Sequence, residues 1–309
     1  MIITLTLNPA IDHTVVVDSL VLGDTNRVTQ SRTDPGGKGI NVSRVIHTLG
    51  HESLALGFVA GGLGRFIEHD LKEQGIFEDF IHVPGQTRTN ITVIHADSNI
   101  RTAINERGPE IASQHVAGLH RRIKKYLRPG NWLVVGGSIP PPIPPSIYAD
   151  IVLYAKNRKS YVVLDADGEA LSQGLTAKPY LVKPNRRELQ RLLKRELRTL
   201  DDILKGAEEV HDNGIPVVVV SLGEEGAIAI SDQGRWRAIP PKVEGASPAG
   251  SGDALVAGMV LVLNQGGSLV EGLRLGTAAA AATCLIPGTQ LCRRQDVERL
   301  FPQVQVYSL

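Results

Sequence analysis

The sequence contains little cysteine: Cys284 and Cys292 are the only 2 among 309 residues. They do not form a CxxC pair, so the sequence indicates neither a disulfide framework nor a thiolate metal site. The 9 histidines include no HExxH motif, and no histidine is assigned to a metal centre. Chemistry that depends on cysteine or on a histidine-bound metal is therefore not expected.

An excess of charge of one sign is also lacking, because 33 basic residues are balanced by 32 acidic ones and the net charge is +1. This balance provides no overall electrostatic field that would attract a nucleic acid or an anionic membrane. Aromatic residues make up only 4% of the chain, which further disfavours a nucleic-acid-binding module. Any anion site must therefore be built locally.

Long apolar runs are absent as well. The segment 2–7 is apolar but short, contains Thr4 and Thr6, and has no basic leader, so it is not typical of a signal peptide. No run reaches the length that a membrane span requires. With 42% hydrophobic and 21% charged residues, the composition is that of a soluble globular enzyme, which we expect in the cytoplasm.

The most informative segment is a turn of small residues that leads into an apolar helix. The turn consists of Gly250, Ser251 and Gly252, and Asp253 follows it. Small residues allow several backbone N–H groups to converge, and the helix N-terminus favours an anion at the same place. Asp253 is expected to stay ionised and to accept a proton from a substrate hydroxyl that faces a bound phosphate. An ordinary helix start with an acidic first turn explains the segment about equally well.

A second glycine motif, Gly36-Gly37-Lys38-Gly39-Ile40-Asn41, lies far upstream and leads into a predicted amphipathic helix that ends at Gly50. It lacks the spacing of a Walker A loop and the buried strand that precedes a dinucleotide-binding fingerprint. Its backbone could approach a polar ligand closely, and Lys38 and Asn41 offer a cation and an amide to sugar hydroxyls or a phosphate. A plain turn before a helix explains the motif equally well in isolation.

Together, the two motifs resemble the signatures of the ribokinase-like, or PfkB, carbohydrate kinases. Residues 36–41 resemble the first signature, and residues 249–253 resemble the second, although Ser251 stands where the family usually has alanine. The resemblance covers nearly the whole chain. The matching segments are similar to the branch of this family that phosphorylates phosphosugars. It also includes the segments 8–12, 87–90, 136–140, 183–188 and 221–226.

The resemblance and the order of the predicted elements indicate the same fold class. From residue 146 onward, predicted helices alternate with all-apolar strands, which is typical of a parallel sheet covered on both faces. The family implies an α/β fold, a ribokinase-like three-layer α/β/α sandwich with a mostly parallel central sheet and a small β-sheet lid. We expect a single kinase domain over residues 1–309, with a discontinuous lid from about 12–32 and 86–106.

Two hairpins are predicted outside the main alternation. The first pairs residues 14–22 with residues 27–31, and the second pairs residues 87–96 with residues 99–105 around Asp97-Ser98-Asn99. These strands could form one small sheet, which the family uses as a lid over the sugar site and often as a dimer contact. A lid of this size would gain stability from a second subunit, so a homodimer through the lid is expected.

The resemblance implies a substrate site at the strand ends. Asp12 follows the first predicted strand at the edge where ligands gather in open α/β sheets, and an Asx turn is its alternative. Arg27 and Arg88 are candidates to clamp the substrate's existing phosphate, because a guanidinium matches phosphate oxygens. The implied substrate-binding residues are Asp12, Arg27, Gly37, Lys38, Asn41, Arg88 and Ser138.

The resemblance also implies a nucleotide site on the same sheet edge. Its ATP-binding residues would be Lys183, Ser221, Gly223 and Gly226, which follow two neighbouring predicted strands. Asn185 and Glu188 would hold Mg2+ through water, as hard oxygen ligands suited to that ion. Without the resemblance, Glu188 is more simply interpreted as an acid in the first turn of a helix.

The implied activity is an ATP- and Mg2+-dependent phosphotransferase that acts on an alcohol group of a ketohexose phosphate. Asp253 would be the base, and the N–H groups around Gly250, Ser251 and Gly252 would stabilise the transferred group. Fructose 1-phosphate and fructose 6-phosphate are the leading substrates, and tagatose 6-phosphate is third. Unphosphorylated sugars and nucleosides are disfavoured, because they would leave the cations of the site without an anion. The alternative is a non-catalytic sugar-phosphate sensor.

Overall fold

The computed structural model describes residues 1–309 except 97, 99 and 246, and the chain forms two sheets flanked by helices. In chain order the strands are β1 (Ile2–Thr6), β2 (Ala10–Val17), β3 (Val28–Gly36), β4 (Ser53–Ala60), β5 (Phe77–Glu78), β6 (Ile81–Val83), β7 (Arg88–His95), β8 (Arg101–Asn105), β9 (Trp132–Gly136), β10 (Tyr161–Asp165), β11 (Leu181–Val182), β12 (Val217–Ser221), β13 (Ala227–Ser231), β14 (Gly234–Ile239) and β15 (Gln305–Ser308). The helices are α1 (Lys38–Thr48), α2 (Gly61–Glu73), α3 (Ser113–Tyr126), α4 (Ile147–Asn157), α5 (Gly168–Leu175), α6 (Arg186–Leu193), α7 (Leu200–Asp212), α8 (Ser251–Asn264), α9 (Leu269–Cys284) and α10 (Arg294–Leu300).

The main sheet has the strand order β15-β14-β13-β12-β11-β10-β9-β1-β4-β5, with β6 also paired to β4. The strands from β12 to β5 run parallel, and β13, β14 and β15 are antiparallel. Apolar strands of this kind are buried on both faces, as parallel sheets require. The predicted parallel sheet with an antiparallel end is therefore confirmed.

Helices cover both faces of this sheet. One face packs against α3 to α7 through a core that includes Leu5 and Leu133. The other face packs against α1, α8, α9 and α10 through a core that includes Ile2 and Val134. Successive strand residues point to opposite faces, so neighbouring positions such as Leu133 and Val134 belong to different cores. The predicted three-layer α/β/α arrangement is confirmed.

Local sequence signals fix several helix starts. Each of α6, α7 and α9 begins with a capping box, in which two side chains satisfy amides that the helix leaves without a partner. The paired residues are Asn185 with Glu188, Thr199 with Asp202, and Ser268 with Glu271. Among the residues described, none of the helices is both long and apolar enough to cross a membrane.

The second, smaller sheet has the strand order β3-β2-β7-β8. The pairs β2/β3 and β7/β8 are antiparallel, and the two hairpins join through the parallel pair β2/β7. The predicted small sheet of four strands is thus confirmed. The turn predicted at Asp97 and Asn99 lies outside the described residues.

The predicted position of the first hairpin was wrong. Its strands are Ala10–Val17 and Val28–Gly36 rather than 14–22 and 27–31, so Asp12 lies inside a strand of the small sheet instead of in a turn after β1. Val21 and Leu22 belong to an exposed loop, where Asn26 hydrogen-bonds to the backbone of Val21. This side-chain bond competes with strand pairing and holds the loop open.

Some short elements carry no clear signal in the sequence and were not predicted. They are α5 (Gly168–Leu175), the strands β5 and β6, and the edge strand β15. The structure forms them through tertiary contacts: β5 and β6 add to β4, and β15 adds to β14. Helix α5 begins at Asp167, whose carboxylate accepts a hydrogen bond from the amide of Gly168.

Helices α8 and α9 pack with their main chains in contact. A Cβ atom at Gly258 would lie 2.6 Å from the Cα of Gly276, and a Cβ atom at Gly276 would collide with the carbonyl oxygen of Leu255. The small side chains from Ala278 to Ala282 continue this close packing along α9. The helix that carries Asp253 is therefore held firmly against its neighbour.

We predict that Gly276→Ala lowers the free energy of unfolding by about 1–3 kcal/mol, because the added methyl group overpacks this contact. The measurement is urea unfolding followed by circular dichroism. Gly62→Ala in α2 is the matched control, because among the described residues the added Cβ would approach only the flexible side chain of Arg65, at 3.9 Å. Equal stability of the two variants would contradict the prediction.

Candidate functional site

A cavity of about 310 Å³ lies where the small sheet meets the carboxyl ends of the central strands. Its wall combines residues from the two glycine motifs, from the ends of β1 and β9, and from β2, β7 and β8. The lining residues are Thr6, Asn8, Asp12, Gly37, Lys38, Asn41, Arg88, Asn90, Asn105, Gly137, Ser138 and Asp253. Strand ends of an open α/β sheet are the usual place for such a site.

The structure brings most of the predicted substrate residues into this cavity but leaves Arg27 out. Arg27 is exposed and directly precedes β3. Val28 pairs with Val17 at the end of the small sheet that is remote from Gly36. The other predicted substrate residues, together with Asp253, all line the cavity.

Asp253 is buried at the first turn of α8, with only 7% of its surface exposed. Its Oδ2 accepts a hydrogen bond of 2.8 Å from Nδ2 of Asn41 in α1. Burial raises the pKa of Asp253 to about 6, and Lys38 opposes this rise. The carboxylate is therefore mostly ionised at pH 7, and it is a stronger base than an exposed aspartate.

The turn before Asp253 has the geometry of an anion site. Gly250 adopts a left-handed conformation with φ of 77°, and a Cβ atom there would lie 2.6 Å from a methyl group of Leu291. The amide of Ser251 donates to the carbonyl of Pro248. Within the described residues, the amides of Gly252 and Asp253 have no acceptor, so they are available to an anion at the positive end of α8.

A cluster of buried charges adjoins the turn. Asp165 at the end of β10 contacts two ammonium groups: its Oδ1 lies 2.5 Å from Nζ of Lys38, and its Oδ2 lies 3.4 Å from Nζ of Lys183. Burial opposes ionisation of Asp165, but Lys183 and Lys38 outweigh it and lower the pKa of this carboxyl. A Cβ atom at Gly252 would lie 3.3 Å from Nζ of Lys183. Glycine at position 252 therefore leaves room for a cation next to the free amides.

Asp12 and Arg88 form the opposite side of the cavity. Asn90 donates a 2.9 Å hydrogen bond to Oδ1 of Asp12, and burial raises the pKa of Asp12. Arg88 donates to the carbonyl oxygens of Asn8 and Glu106. These hydrogen bonds fix the guanidinium beside the cavity.

The first glycine motif is shaped by its contact with β1. A Cβ atom at Gly39 would lie 2.9 Å from the carbonyl oxygen of Leu5, and the amide of Ile40 donates to Oγ1 of Thr6 at 3.0 Å. A Cβ atom at Gly36 would collide with the carboxylate of Asp12. These close approaches explain why small residues are needed where α1 begins.

Asn185 and Glu188 lie at the start of α6, near the ends of β11 and β12. Oδ1 of Asn185 accepts from the amide of Glu188 at 2.9 Å, and Oε2 of Glu188 accepts from the amide of Asn185 at 2.8 Å. Both residues therefore act as helix caps, and Oε1 of Glu188 accepts no hydrogen bond within the described residues. This free hard oxygen fits a Mg2+ ion that keeps its water ligands. No group of three or more His, Cys, Asp or Glu residues in the described part of the chain could hold a metal by itself.

The remaining predicted nucleotide residues follow β12. Ser221 bridges to Asn185, which places it next to the α6 cap. Gly223 is exposed with φ of 64°, and no atom of the described residues lies within 4 Å of the position of a Cβ atom there. Gly226 has φ of 90°, and a Cβ atom there would collide with the carbonyl oxygen of Ala238. The structure thus gives Gly226 a packing role, and Ser221, Gly223 and Gly226 lie outside the cavity.

The sequence profile of the pfkB family carbohydrate kinases matches residues 5–296. The chain belongs to the pfkB family. The family predicted from the two glycine motifs is thereby confirmed, and the chain is a carbohydrate kinase, a phosphotransferase.

Relatives named as phosphosugar kinases match the chain over its full length. A 1-phosphofructokinase of Borreliella burgdorferi is 34% identical over 310 residues, which span 100% of this chain and 99% of that protein. A tagatose-6-phosphate kinase of Staphylococcus epidermidis is 33% identical over 312 residues, spanning 100% of each. The matches therefore cover both sheets and all the candidate site residues.

Solved structures confirm the predicted ribokinase-like fold. The phosphofructokinase-2 of Escherichia coli in complex with potassium has a TM-score of 0.92 at 32% identity and covers 98% of each chain. A ribokinase of Arabidopsis thaliana is only 22% identical, yet it has a TM-score of 0.80 over 97% of this chain and 98% of that one. The second match concerns the fold alone.

The structure adds to the site several residues that had no predicted role. Asp165 is the main one, and its signal in the sequence was an acid at the end of an all-apolar strand, the same position that drew attention to Lys183 and Ser221. Asn8 and Asn90 occur in segments that resemble the pfkB family, but the sequence did not show that they line the cavity.

We predict that Asp253→Asn stabilises the protein at neutral pH. Asp253 ordinarily titrates at 3.8 and here at about 6, so the folded state binds its proton more tightly than the unfolded state does. Protonated Asp253 therefore makes its full contribution to the stability of the folded state below pH 4, and this contribution is lost as the pH rises through 6. The variant should exceed the wild type by about 1–3 kcal/mol at pH 7.5, with the difference vanishing toward pH 4. Urea unfolding at both pH values measures this difference, and a constant one would contradict the raised pKa.

A second prediction concerns Gly36→Ala. The new methyl group displaces the carboxylate of Asp12, so KM for the sugar substrate should rise about 10-fold to 100-fold, as expected for a lost hydrogen bond to a charged group. KM for ATP should stay nearly constant. Steady-state kinetics measure both constants, with Gly62→Ala as the control. An equal rise in both KM values would indicate a general folding defect instead.

Proposed function

We propose that the chain is a phosphofructokinase that transfers the γ-phosphoryl group of ATP to fructose 1-phosphate or fructose 6-phosphate and forms fructose 1,6-bisphosphate. The observation that carries the proposal is the arrangement around Asp253. This buried base lines the same cavity as Asp12 and Arg88, and its own helix turn offers free amides beside Lys183. A base, an anion site and a polar sugar site are the three parts that such a transfer needs.

In this mechanism Asp253 accepts the proton of the attacking hydroxyl. Asn41 holds Oδ2 of Asp253 and fixes the orientation of the carboxylate. Proton transfer is efficient when the pKa of the base lies near the working pH, and burial moves Asp253 in that direction. The proton passes to Asp253 as the hydroxyl oxygen attacks the γ-phosphorus, and the bond from the γ-phosphorus to the bridging oxygen of the β-phosphate breaks, which releases ADP. The alkoxide therefore never has to form free in the site.

Cations and amides offset the charge that develops on the transferred group. The amides of Gly252 and Asp253 face the anion position, and Lys183 lies beside them. These groups are already in place, so they cost little reorganisation when the reaction occurs. Gly250 and Ser251 contribute the turn that aims the amides. Ser221, Gly223 and Gly226 would support the nucleotide farther along the sheet edge.

We assign Asn185 and Glu188 to Mg2+ binding through water. The free oxygen of Glu188 supports this assignment, and the capping box holds the side chain in place. The ion would supply neutralisation of the triphosphate charge. Asp12, Gly37, Lys38, Asn41, Arg88 and Ser138 are assigned to the phosphosugar on the ground that they share one cavity.

The small sheet is proposed as a lid, over about 12–32 and 86–106, on a single kinase domain of residues 1–309. A homodimer through the lid is supported by its exposed apolar side chains: Leu22 is 89% exposed, Val28 51% and Ile104 57%. Covering such residues in a second copy would bury apolar area that the single chain leaves in water. Arg27 is also exposed, directly before Val28. We expect this enzyme to work in the cytoplasm, where phosphosugars and ATP are found.

The third candidate substrate is tagatose 6-phosphate, which the name of the Staphylococcus epidermidis relative favours. A non-catalytic sensor remains the alternative from another class. A sensor would keep the cavity, but it would not need a buried base next to free amides. Ligand-induced thermal stabilisation without turnover would identify it.

The test is ADP production with Mg2+-ATP against fructose 1-phosphate, fructose 6-phosphate and tagatose 6-phosphate. Asp253→Asn should fold and lose about 100-fold to 10,000-fold in kcat, as expected for loss of a general base. Asp232→Asn is the matched control, because the side chain of Asp232 is 94% exposed. One fructose phosphate should exceed the other substrates in kcat/KM.

Two results would overturn the proposal. Turnover of Asp253→Asn near the wild-type rate would remove Asp253 as the base. A wild-type protein that binds the phosphosugars but releases no ADP with any of them would favour the sensor.

A further inference from the structure

Asp165 is a buried carboxylate that the mechanism above does not use. It ends strand β10, pairs in register with Gly136 of β9, and is only 2% exposed. Its carbonyl oxygen accepts a hydrogen bond from the amide of Gly137, a residue of the cavity wall. Tyr148, fully buried, donates to the carbonyl oxygens of Gly136 and Gly137. The backbone around Asp165 is thus held from two sides.

The two oxygens of this carboxylate contact different cations. Oδ1 faces Lys38 from α1 at 2.5 Å, and Oδ2 faces Lys183 from the segment after β11 at 3.4 Å. The side chain of Lys183 is only 3% exposed, so water does little to screen it. Without a carboxylate between them, two neighbouring ammonium groups in such surroundings would repel each other.

Each lysine is held at a place that matters for the transfer. Lys183 lies beside Gly252, where the free amides of the turn are. Lys38 contacts Asp165, and both Asp165 and the base Asp253 act electrostatically on its ammonium group. Burial alone would lower the pKa of Lys38, but Asp165, with a smaller contribution from Asp253, raises it above its ordinary value.

Asp165 also acts on Asp253. The charged groups that face Asp253 are Lys38 on α1, Lys183 after β11 and Asp165 on β10, and Asn41 adds a hydrogen bond. After burial and Lys38, Asp165 has the largest effect on the pKa of Asp253, and it raises this pKa. One side chain therefore affects both the phosphate-binding lysines and the base.

We infer that Asp165 is a positioning residue that fixes two ammonium groups before the substrates bind: that of Lys183 beside Gly252 and that of Lys38 in the cavity wall. This inference rests on the proposed kinase function and adds a role for a residue outside the substrate set. Asp165 touches neither base nor substrate and acts through the two lysines. Its removal should affect the transfer step more than the binding of ATP, because the freed lysines can still attract phosphate but are no longer fixed.

The first experiment measures Asp165→Asn at pH 7.5. We expect kcat to fall about 100-fold, the effect of misplacing groups that must be aligned for the reaction, with KM for ATP within about 3-fold of the wild type. Asp167→Asn is the matched control, because Asp167 lies two residues farther along and pairs with Arg191 at the half-exposed surface. The control should keep its kcat. A rise in KM for ATP that accounts for the whole loss would overturn the inference.

The second measurement is the pH dependence of the ratio of kcat/KM between Asp165→Asn and the wild type. The ratio cancels the titration of the substrates' own phosphates. Because Asp165 raises the pKa of Asp253, its removal lets the base stay ionised at lower pH. The ratio should therefore rise about 5-fold between pH 7.5 and pH 5. A purely structural defect would leave the ratio constant, and a constant ratio would overturn the inference.

A double variant keeps the test decisive if the single variant does not fold. Asp165→Asn combined with Lys38→Met removes a buried cation together with its counter-ion. The loss caused by Asp165→Asn should be smaller in this background than in the wild type, since one of the lysines it holds is gone. Full additivity would contradict the inference. Wild-type turnover distinguishes failure of the proposed function from failure of this inference. An inactive wild type refutes the kinase function, whereas an active wild type with additive losses refutes only the role of Asp165.

Discussion

Burial of charge at one edge of the sheet is the constraint on which the site depends. Lys38, Lys183, Asp165 and Asp253 come from four separate elements. Lys183, Asp165 and Asp253 are buried, and the side chain of Lys38 is 31% exposed. A buried charge is tolerated only where an opposite charge and hydrogen bonds compensate it. The parallel arrangement of β9, β10, β11 and β1 makes this possible, because their carboxyl ends meet along one line. The same compensation that permits burial also fixes the geometry of the groups.

The fold could be predicted in most respects because its signals are local and repeated. All-apolar strands such as β12 alternate with helices that begin at recognisable caps such as Thr199. The strands of the small sheet were harder to place. Asp12 was expected after β1 and lies within β2, because an alternating segment does not specify where its pairing begins. The short elements β5 and β6 pair with β4, and β15 pairs with β14. No local sequence pattern reveals these pairings.

The candidate site was predictable where glycine spacing exposed it. The two glycine motifs led to Lys38, Asn41 and Asp253, and the structure places all three on one cavity. Asp165 was not found, because its importance depends on two lysines that are distant in sequence. Arg27 shows the opposite error: a cation on a predicted lid strand suggested a phosphate clamp, yet Arg27 lies just before β3, at the end of the small sheet that is remote from Gly36. Register and long-range pairing are properties that composition and spacing do not contain.

The contact between Gly258 and Gly276 has a consequence for how this enzyme can change. Since the main chains of α8 and α9 touch, neither helix can slide or rotate past the other without a collision. The base at the start of α8 therefore has no freedom of its own. Any adaptation of the protein to another nucleotide or sugar must leave this helix pair unchanged and accumulate its substitutions in the loops and in the small sheet. In the engineering of new specificities, those segments are the productive region for libraries, and the helix pair is the part to keep constant.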